Sequence, residues 1–210
     1  MKREFSFHTN TALSVALIKL LDKLEQHLKL PCPVNVYLAG GMAVHLYTGS
    51  RVTGDVDAEF GRKISLPRDL MVEVSLEDGK KHLVYLDTNY NSSFALMHED
   101  YQDDAIPLDI GLDRLQLRIL SPVDLVVSKI ARFAINDQED IEALIKLGLT
   151  NSIEIEKRAS YALEAYIGNL NMLKINLRDT LDIARRLEAN NPLLSAKVSL
   201  KSDDKTKQKL

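Results

Sequence analysis

The 210-residue chain has no tryptophan and a single cysteine, Cys32. One cysteine excludes an internal disulfide and any cysteine-cluster zinc site, and it suits a reducing compartment. Standing before Pro33, Cys32 reads as a small buried residue. Aromatic residues make up 6% of the chain, and the seven tyrosines are scattered. They lack the aromatic and basic interleaving of a single-strand-binding platform. Neither sign of charge dominates: 27 Lys and Arg against 30 Asp and Glu leave −3. Such a balance gives no global attraction to nucleic acid, so an RNA partner requires a local basic patch. No apolar run approaches the roughly 20 residues that span a bilayer. The opening Met1-Lys-Arg followed by Thr11–Ile18 has the outline of a signal peptide. Lys19 and the continuing Leu20, Leu21, Leu24 and Leu28 spacing argue instead for an amphipathic helix over 11–29, and for a cytoplasmic protein without a membrane partner. Internal repeats and a nucleophile elbow are also absent.

What is present is an ordinary globular composition, 45% apolar and 27% charged, in a length that holds one large or two small domains. One stretch stands out: Val36-Tyr-Leu-Ala-Gly-Gly-Met-Ala-Val-His-Leu-Tyr-Thr-Gly-Ser-Arg-Val-Thr-Gly-Asp-Val-Asp-Ala-Glu-Phe60. Val34, Val36 and Leu38 alternate as a strand does and end at Gly40-Gly41. Two glycines with no Cβ let a bulky anion approach the backbone. Met42–Tyr47 suits a short helix with Gly49 just past its end, and its free N–H groups and positive dipole end would face phosphates. Asp55 and Asp57 are two apart, so on a strand both project from one face while Val56 points inward. Two such carboxylates repel unless a cation lies between them, and hard oxygen donors suit Mg²⁺ or Mn²⁺, which a triphosphate would help to ligate. Arg51 is the nearest cation for a phosphate; Thr53 either joins it or only shapes the turn. Other acidic pairs two apart (Asp57/Glu59, Asp137/Glu139, Asp140/Glu142, Glu154/Glu156) read mostly as solvated helix faces.

In that order, strand, Gly40-Gly41, helix, Arg51-x-Thr53, then Asp55-x-Asp57, the stretch resembles the core motif of the nucleotidyltransferase superfamily with the DNA polymerase β-like fold. More narrowly, Gly40-Gly41-x-Ala43 with Thr48-Gly49-x-Arg51-x-Thr53-x-Asp55-x-Asp57 resembles bacterial proteins related to the AbiEii abortive-infection toxins. The resemblance covers roughly residues 34–147 and is densest over 36–60. It implies a third carboxylate on a neighbouring strand. Asp109 in Ala105-Ile-Pro-Leu-Asp-Ile-Gly111 is the best match, with Asp103, Asp104 and Asp113 as alternatives better explained by turn chemistry. It also implies a Lys-bearing helix followed by an Asp-bearing one, with Lys129 contacting the triphosphate and Asp140 supporting the site. Against that stands the reading of Lys129 as a lysine facing solvent from a half-exposed helix.

Around the motif, Met71–Leu76 and His82–Leu86 read as a hairpin across Glu77-Asp-Gly-Lys80, and 88–104 as a loop. Leu117–Leu120 reads as a strand. Ser121-Pro122-Val123-Asp124 starts a helix, with Ser121 as N-cap and Asp124 adding charge to the first turn. Helices are expected over 122–134, 137–147, 152–168 and 170–189. His45 reads as a packed side chain, and His98 has no second His spaced to share a metal. The expected fold is α+β: a nucleotidyltransferase-type mixed sheet flanked by helices over 1–120, a helical lobe over 121–198 and a disordered tail over 199–210. The expected activity is two-metal transfer of an NMP from an NTP to an RNA, protein or small-molecule acceptor. Gly40, Gly41, Arg51, Thr53, Lys129 and Asp140 would bind the nucleotide and Asp55, Asp57 and Asp109 the metal. The resemblance adds a toxin-like role with an antitoxin partner. The alternatives are a catalytically inactive nucleotide-binding or protein-interaction module of the same fold, and a metal-independent helical interaction protein.

Overall fold

The computed structural model describes residues 4–67, 69–76 and 79–191. The expected tail over 199–210, and Glu77 and Asp78 of the hairpin turn, lie outside the described residues. The fold is α+β, mixed sheets with flanking helices. The chain divides into two units at Ser121–Pro122, with Ala95–His98 belonging to the second.

The first unit opens with α1 (Ala12–Leu28). Thr11 caps it by accepting the Ser14 N–H, and the Leu13, Leu17, Leu20, Leu21 and Leu24 face is buried. β1 (Val34–Leu38) leads into α2 (Gly40–Thr48), which ends where Gly49 takes a left-handed conformation (φ 71°). The two glycines are therefore the first residues of the helix and not a loop before it.

The expected single strand through Asp55 and Asp57 is two: β2 (Asp55–Val56) and β3 (Ala58–Phe60). Asp57 lies between them because the chain changes sheets there. β2 pairs in parallel with β5 (Lys81–Leu86), whose other edge carries β4 (Met71–Ser75) as the expected hairpin. β3 pairs antiparallel with β1, and β1 pairs in parallel with β7 (Leu115–Ile119). β6 (Ile106–Pro107) closes the far edge, so the two sheets run β3-β1-β7-β6 and β2-β5-β4. α1 packs on β4 and β5. Its Glu25 carboxylate accepts the backbone N–H groups of Asp113 (3.2 Å), Arg114 (2.6 Å) and Leu115 (2.6 Å), fixing the turn into β7. Cys32 is exposed, contrary to expectation: it lies in the α1–β1 connection, where Arg62 Nη1 donates to its sulfur at 3.2 Å.

The second unit holds α3 (Pro122–Ile130), α4 (Ile135–Lys146), α5 (Ser152–Ala165) and α6 (Leu170–Ala189). The buried rows Ile155–Ala159–Ala162 and Leu173–Leu177–Leu181–Ala184 are those the helical spacing implies. α3 stops short of the expected residue 134, and Phe133 adopts φ 51°, turning the chain into α4. Ala134 occupies the N-cap position of α4, and its N–H donates to the Asp137 carboxylate at 3.0 Å. Asp124 does enter the first turn of α3, but it is 1% exposed and gripped by Arg158 of α5 at 2.6 and 2.9 Å.

Candidate active site

The site grows from the turn between β1 and α2. Gly40 has φ 61°, and a Cβ there would stand 2.7 Å from the carboxyl carbon of Asp57 and nearer still to its Oδ2. Glycine is required twice over, for the backbone angle and for the space. The Ala39 N–H donates to the Asp57 carbonyl at 2.8 Å, holding the start of α2 against that residue. A Cβ at Gly41 would meet the Thr53 side chain at 3.3 Å, so Thr53 covers the second glycine. The first N–H groups of α2, which have no partner within the helix, are thus presented beside an aspartate.

Asp55 and Val56 align with Tyr85 and Leu86 of β5. The Asp87 N–H donates to the Val56 carbonyl at 3.1 Å, carrying the pairing one step further and setting Asp87 alongside Asp57. Val56 and Leu86 are buried at 0% and 7%, so by strand alternation Asp55, Asp57, Tyr85 and Asp87 share the opposite face. The close crossing needs Gly54, where a Cβ would strike the Leu83 carbonyl oxygen. The Tyr85 hydroxyl donates to Asp55 Oδ1. That hydrogen bond and the Asp55 charge raise the phenol pKa, and the charges of Asp87 and Asp57 add to the effect.

Two residues on from Asp57, Glu59 accepts the Ser92 N–H (3.2 Å), the Ser92 hydroxyl (2.5 Å) and the Tyr101 hydroxyl (2.5 Å), tying down the 88–104 loop. Burial raises the Tyr90 pKa, reinforced by the Glu59 and Asp57 charges. Burial also raises that of Tyr101, with the Glu59 hydrogen bond next.

Asp109 is not brought to this face. It is exposed beyond the end of β6, and its carboxylate accepts the Gly111 N–H at 2.9 Å as the cap of a turn. Registers place it at the far edge of the four-stranded sheet from β3, and toward the Val34 end of β1, whereas Asp57 sits at the Leu38 end. Its apolar neighbours suggested a buried carboxylate; an edge-strand turn accounts for them instead. Asp87 closes the run Leu83-Val-Tyr-Leu-Asp87, in which alternate Val84 and Leu86 are buried. That pattern was visible as one arm of the hairpin, but the parallel pairing with β2 was not.

Arg51 is half-buried, with its Nη1 donating to the Val52 carbonyl at 2.9 Å. Its own carbonyl is held by His45, whose Nδ1–H donates to it at 2.6 Å while Nε2 lies 2.6 Å from Thr11 Oγ1. His45 is thus packed and bonded at both nitrogens, and burial lowers its pKa. In the helical unit Lys129 is 6% exposed, with Nζ 2.7 Å from Asp140 and 3.5 Å from Asp137. It does not face solvent, and Asp137 and Asp140 are not a solvated face. His98 stacks edge-on to Tyr161 at 6.0 Å between ring centres.

A family model described as a nucleotidyltransferase of unknown function (DUF6036) matches residues 15–183. The chain belongs to that family. No curated protein and no solved structure matches it. The DUF6036 match spans both units and contains the whole Gly40–Asp87 arrangement. Among the described residues, no three His, Cys, Asp or Glu side chains are gathered as a ready metal cage. The donor chemistry nevertheless fits Mg²⁺ or Mn²⁺: carboxylate oxygens on one strand face, beside a helix start whose two glycines carry no side chain of their own. Among the described residues, no helix is long and apolar enough to cross a membrane.

Proposed function

We propose that the protein transfers an NMP from an NTP to an acceptor hydroxyl in a Mg²⁺- or Mn²⁺-dependent reaction, with Asp55, Asp57 and Asp87 as the carboxylate set. The observation that carries this reading is the fit of Gly40 against Asp57, which sets the N-terminus of α2 beside the carboxylate face. In this reading the first-turn N–H groups of α2 bind the phosphates, helped by Arg51, while Thr53 shapes the surface of Gly41. Asp55 and Asp57 would hold the divalent cation together with oxygens of the triphosphate, and the cation would offset phosphate charge and favour ionisation of the attacking oxygen. Asp87, at the end of its strand, receives the proton of the incoming hydroxyl. Asp109 has no part in the proposal. Lys129 and Asp140 form a buried ion pair of the helical unit, and the nucleotide site is built from the first unit alone.

The acceptor is an RNA end, a protein hydroxyl or a small molecule. The AbiEii resemblance supports a toxin-like protein of the cytoplasm acting against its own cell, restrained by an antitoxin; a small regulator-like neighbouring reading frame is its first check. Labelled NTPs, Mg²⁺ and total tRNA or cell lysate test the chemistry. We expect label transfer that falls by at least about 10³-fold in Asp57→Ala and Asp87→Ala and survives in Asp109→Ala. Loss in Asp109→Ala with retention in Asp87→Ala would overturn the carboxylate assignment. NTP binding without transfer to any acceptor favours the inactive module.

A further inference from the structure

Tyr85 stands in the middle of the carboxylate face without a role in the proposed chemistry. It lies opposite Asp55 in the parallel β2–β5 pair, and its backbone N–H donates to the Gly54 carbonyl at 3.0 Å, so its place is set by the strand and not by a loop. Its side chain is not a core element: the residue is 42% exposed. The hydroxyl donates to Asp55 Oδ1, and the charges of Asp87 and Asp57 also reach it. A phenol here supplies the only kind of relief a neutral side chain can give to clustered carboxylates, a directed proton.

We propose that Tyr85 competes with the divalent cation for Asp55, so that the phenol's hydrogen bond opposes loading of the site. The inference rests on the reading of Asp55 and Asp57 as cation ligands. A hydroxyl proton and a cation cannot share one carboxylate lone pair. A cation that takes the lone pair the hydroxyl uses expels it; one that binds the remaining lone pairs of Oδ1 or Oδ2 meets a carboxylate whose charge the hydrogen bond already draws on. Because binding displaces or weakens an existing hydrogen bond, Tyr85 lowers cation affinity and couples it to the environment of the phenol. The site therefore stays unloaded at low cation concentration and fills when a nucleotide brings further oxygen ligands.

The test uses the full chain and Mn²⁺ alone, with free Mn²⁺ followed by electron paramagnetic resonance in wild type, Tyr85→Phe and Asp57→Ala. Tyr85→Phe keeps the ring and removes only the hydroxyl, and is expected to bind Mn²⁺ roughly three- to tenfold more tightly. A second readout needs no variant. The chain has no tryptophan, so Mg²⁺ added to wild type should give a tyrosine ultraviolet difference spectrum as the phenol leaves the carboxylate. Equal or weaker Mn²⁺ binding by Tyr85→Phe, with binding lost in Asp57→Ala, overturns the competition while leaving the nucleotidyltransferase reading intact. Saturable Mn²⁺ binding by wild type with no tyrosine difference signal overturns it as well. Absence of Mn²⁺ binding in both wild type and Tyr85→Phe removes the inference together with the cation reading beneath it.

Discussion

Gly40 concentrates the most function in the least matter. Its φ of 61° is in the left-handed region, and its missing Cβ is the space that Asp57 fills. Gly40→Ala is expected to cost about 2 kcal/mol or more, lowering the melting temperature by roughly 4–8 °C in calorimetry and abolishing NTP binding. Gly79 supplies the control: it has φ 77°, and a Cβ added there would meet nothing within 4 Å, so Gly79→Ala bears the backbone strain alone, about 1 kcal/mol. Equal losses at both positions would show that Asp57 exerts no steric demand. The glycine pair and the Asp55/Asp57 pair were legible as residue types at a spacing. The direct abutment of one on the other was not, because it depends on where the chain leaves β2 for β3. Asp87 was hidden for the same reason. Its partner strand lies about 30 residues earlier in sequence, and local alternation carries no information on which edge a strand joins.

Among the elements, helices were legible in the sequence and strand partners were not. α1 and α6 follow apolar periodicity and caps, signals contained within each segment. α3 ends early because Phe133 and the Asp137–Ala134 cap, neither with a strong propensity signature, turn the chain. Asp124 illustrates how a locally sensible role is enlarged by packing. Its first-turn charge favours α3, but it is buried against Arg158, which is itself 14% exposed at the side chain. Asp124→Ala is expected to destabilise the protein by about 3 kcal/mol, since a mostly buried guanidinium is left without its carboxylate. Asp124→Asn, which keeps one acceptor, should lose less. Chemical denaturation of the two variants checks the order, and equal stability to wild type would refute the buried-pair account.

For the whole molecule, two groups predict a staged response to acid. His45 has a lowered pKa because burial opposes its charge. The unfolded chain therefore takes up the proton first, and stability declines as pH falls below about 6.5. Asp137 lies in the other unit. Burial pushes its pKa up, but the Arg132 hydrogen bonds, the Lys129 charge and the Ala134 N–H outweigh burial and hold it below the usual carboxylate range. Its contribution is complete above the unfolded value of about 3.9 and is lost as pH falls through the lower folded value. Urea midpoints measured from pH 8 to 3 should drop first as pH falls below about 6.5, a drop removed in His45→Gln. A second drop below about pH 4 should shrink in Asp137→Asn. Identical wild-type and His45→Gln profiles below about pH 6.5 would contradict the His45 assignment.

The sequence by itself determined the helices, the β1–α2 turn with its glycines and the Asp55/Asp57 pair that carry the nucleotidyltransferase resemblance, because each is written in residues within a few positions of one another. The nucleotidyltransferase family membership bears out that reading at the level of the family. Only the tertiary structure decided that Asp87 and not Asp109 joins the carboxylate face, that Tyr85 holds Asp55, and that Lys129 is enclosed by Asp137 and Asp140. Lys129 reaches Asp137 8 residues on, but the β2–β5 pairings join segments 30 residues apart. The free energy that selects them comes from burying Val56, Leu86 and their neighbours on the other face, so the polar side inherits its partners from a core that local sequence patterns do not specify.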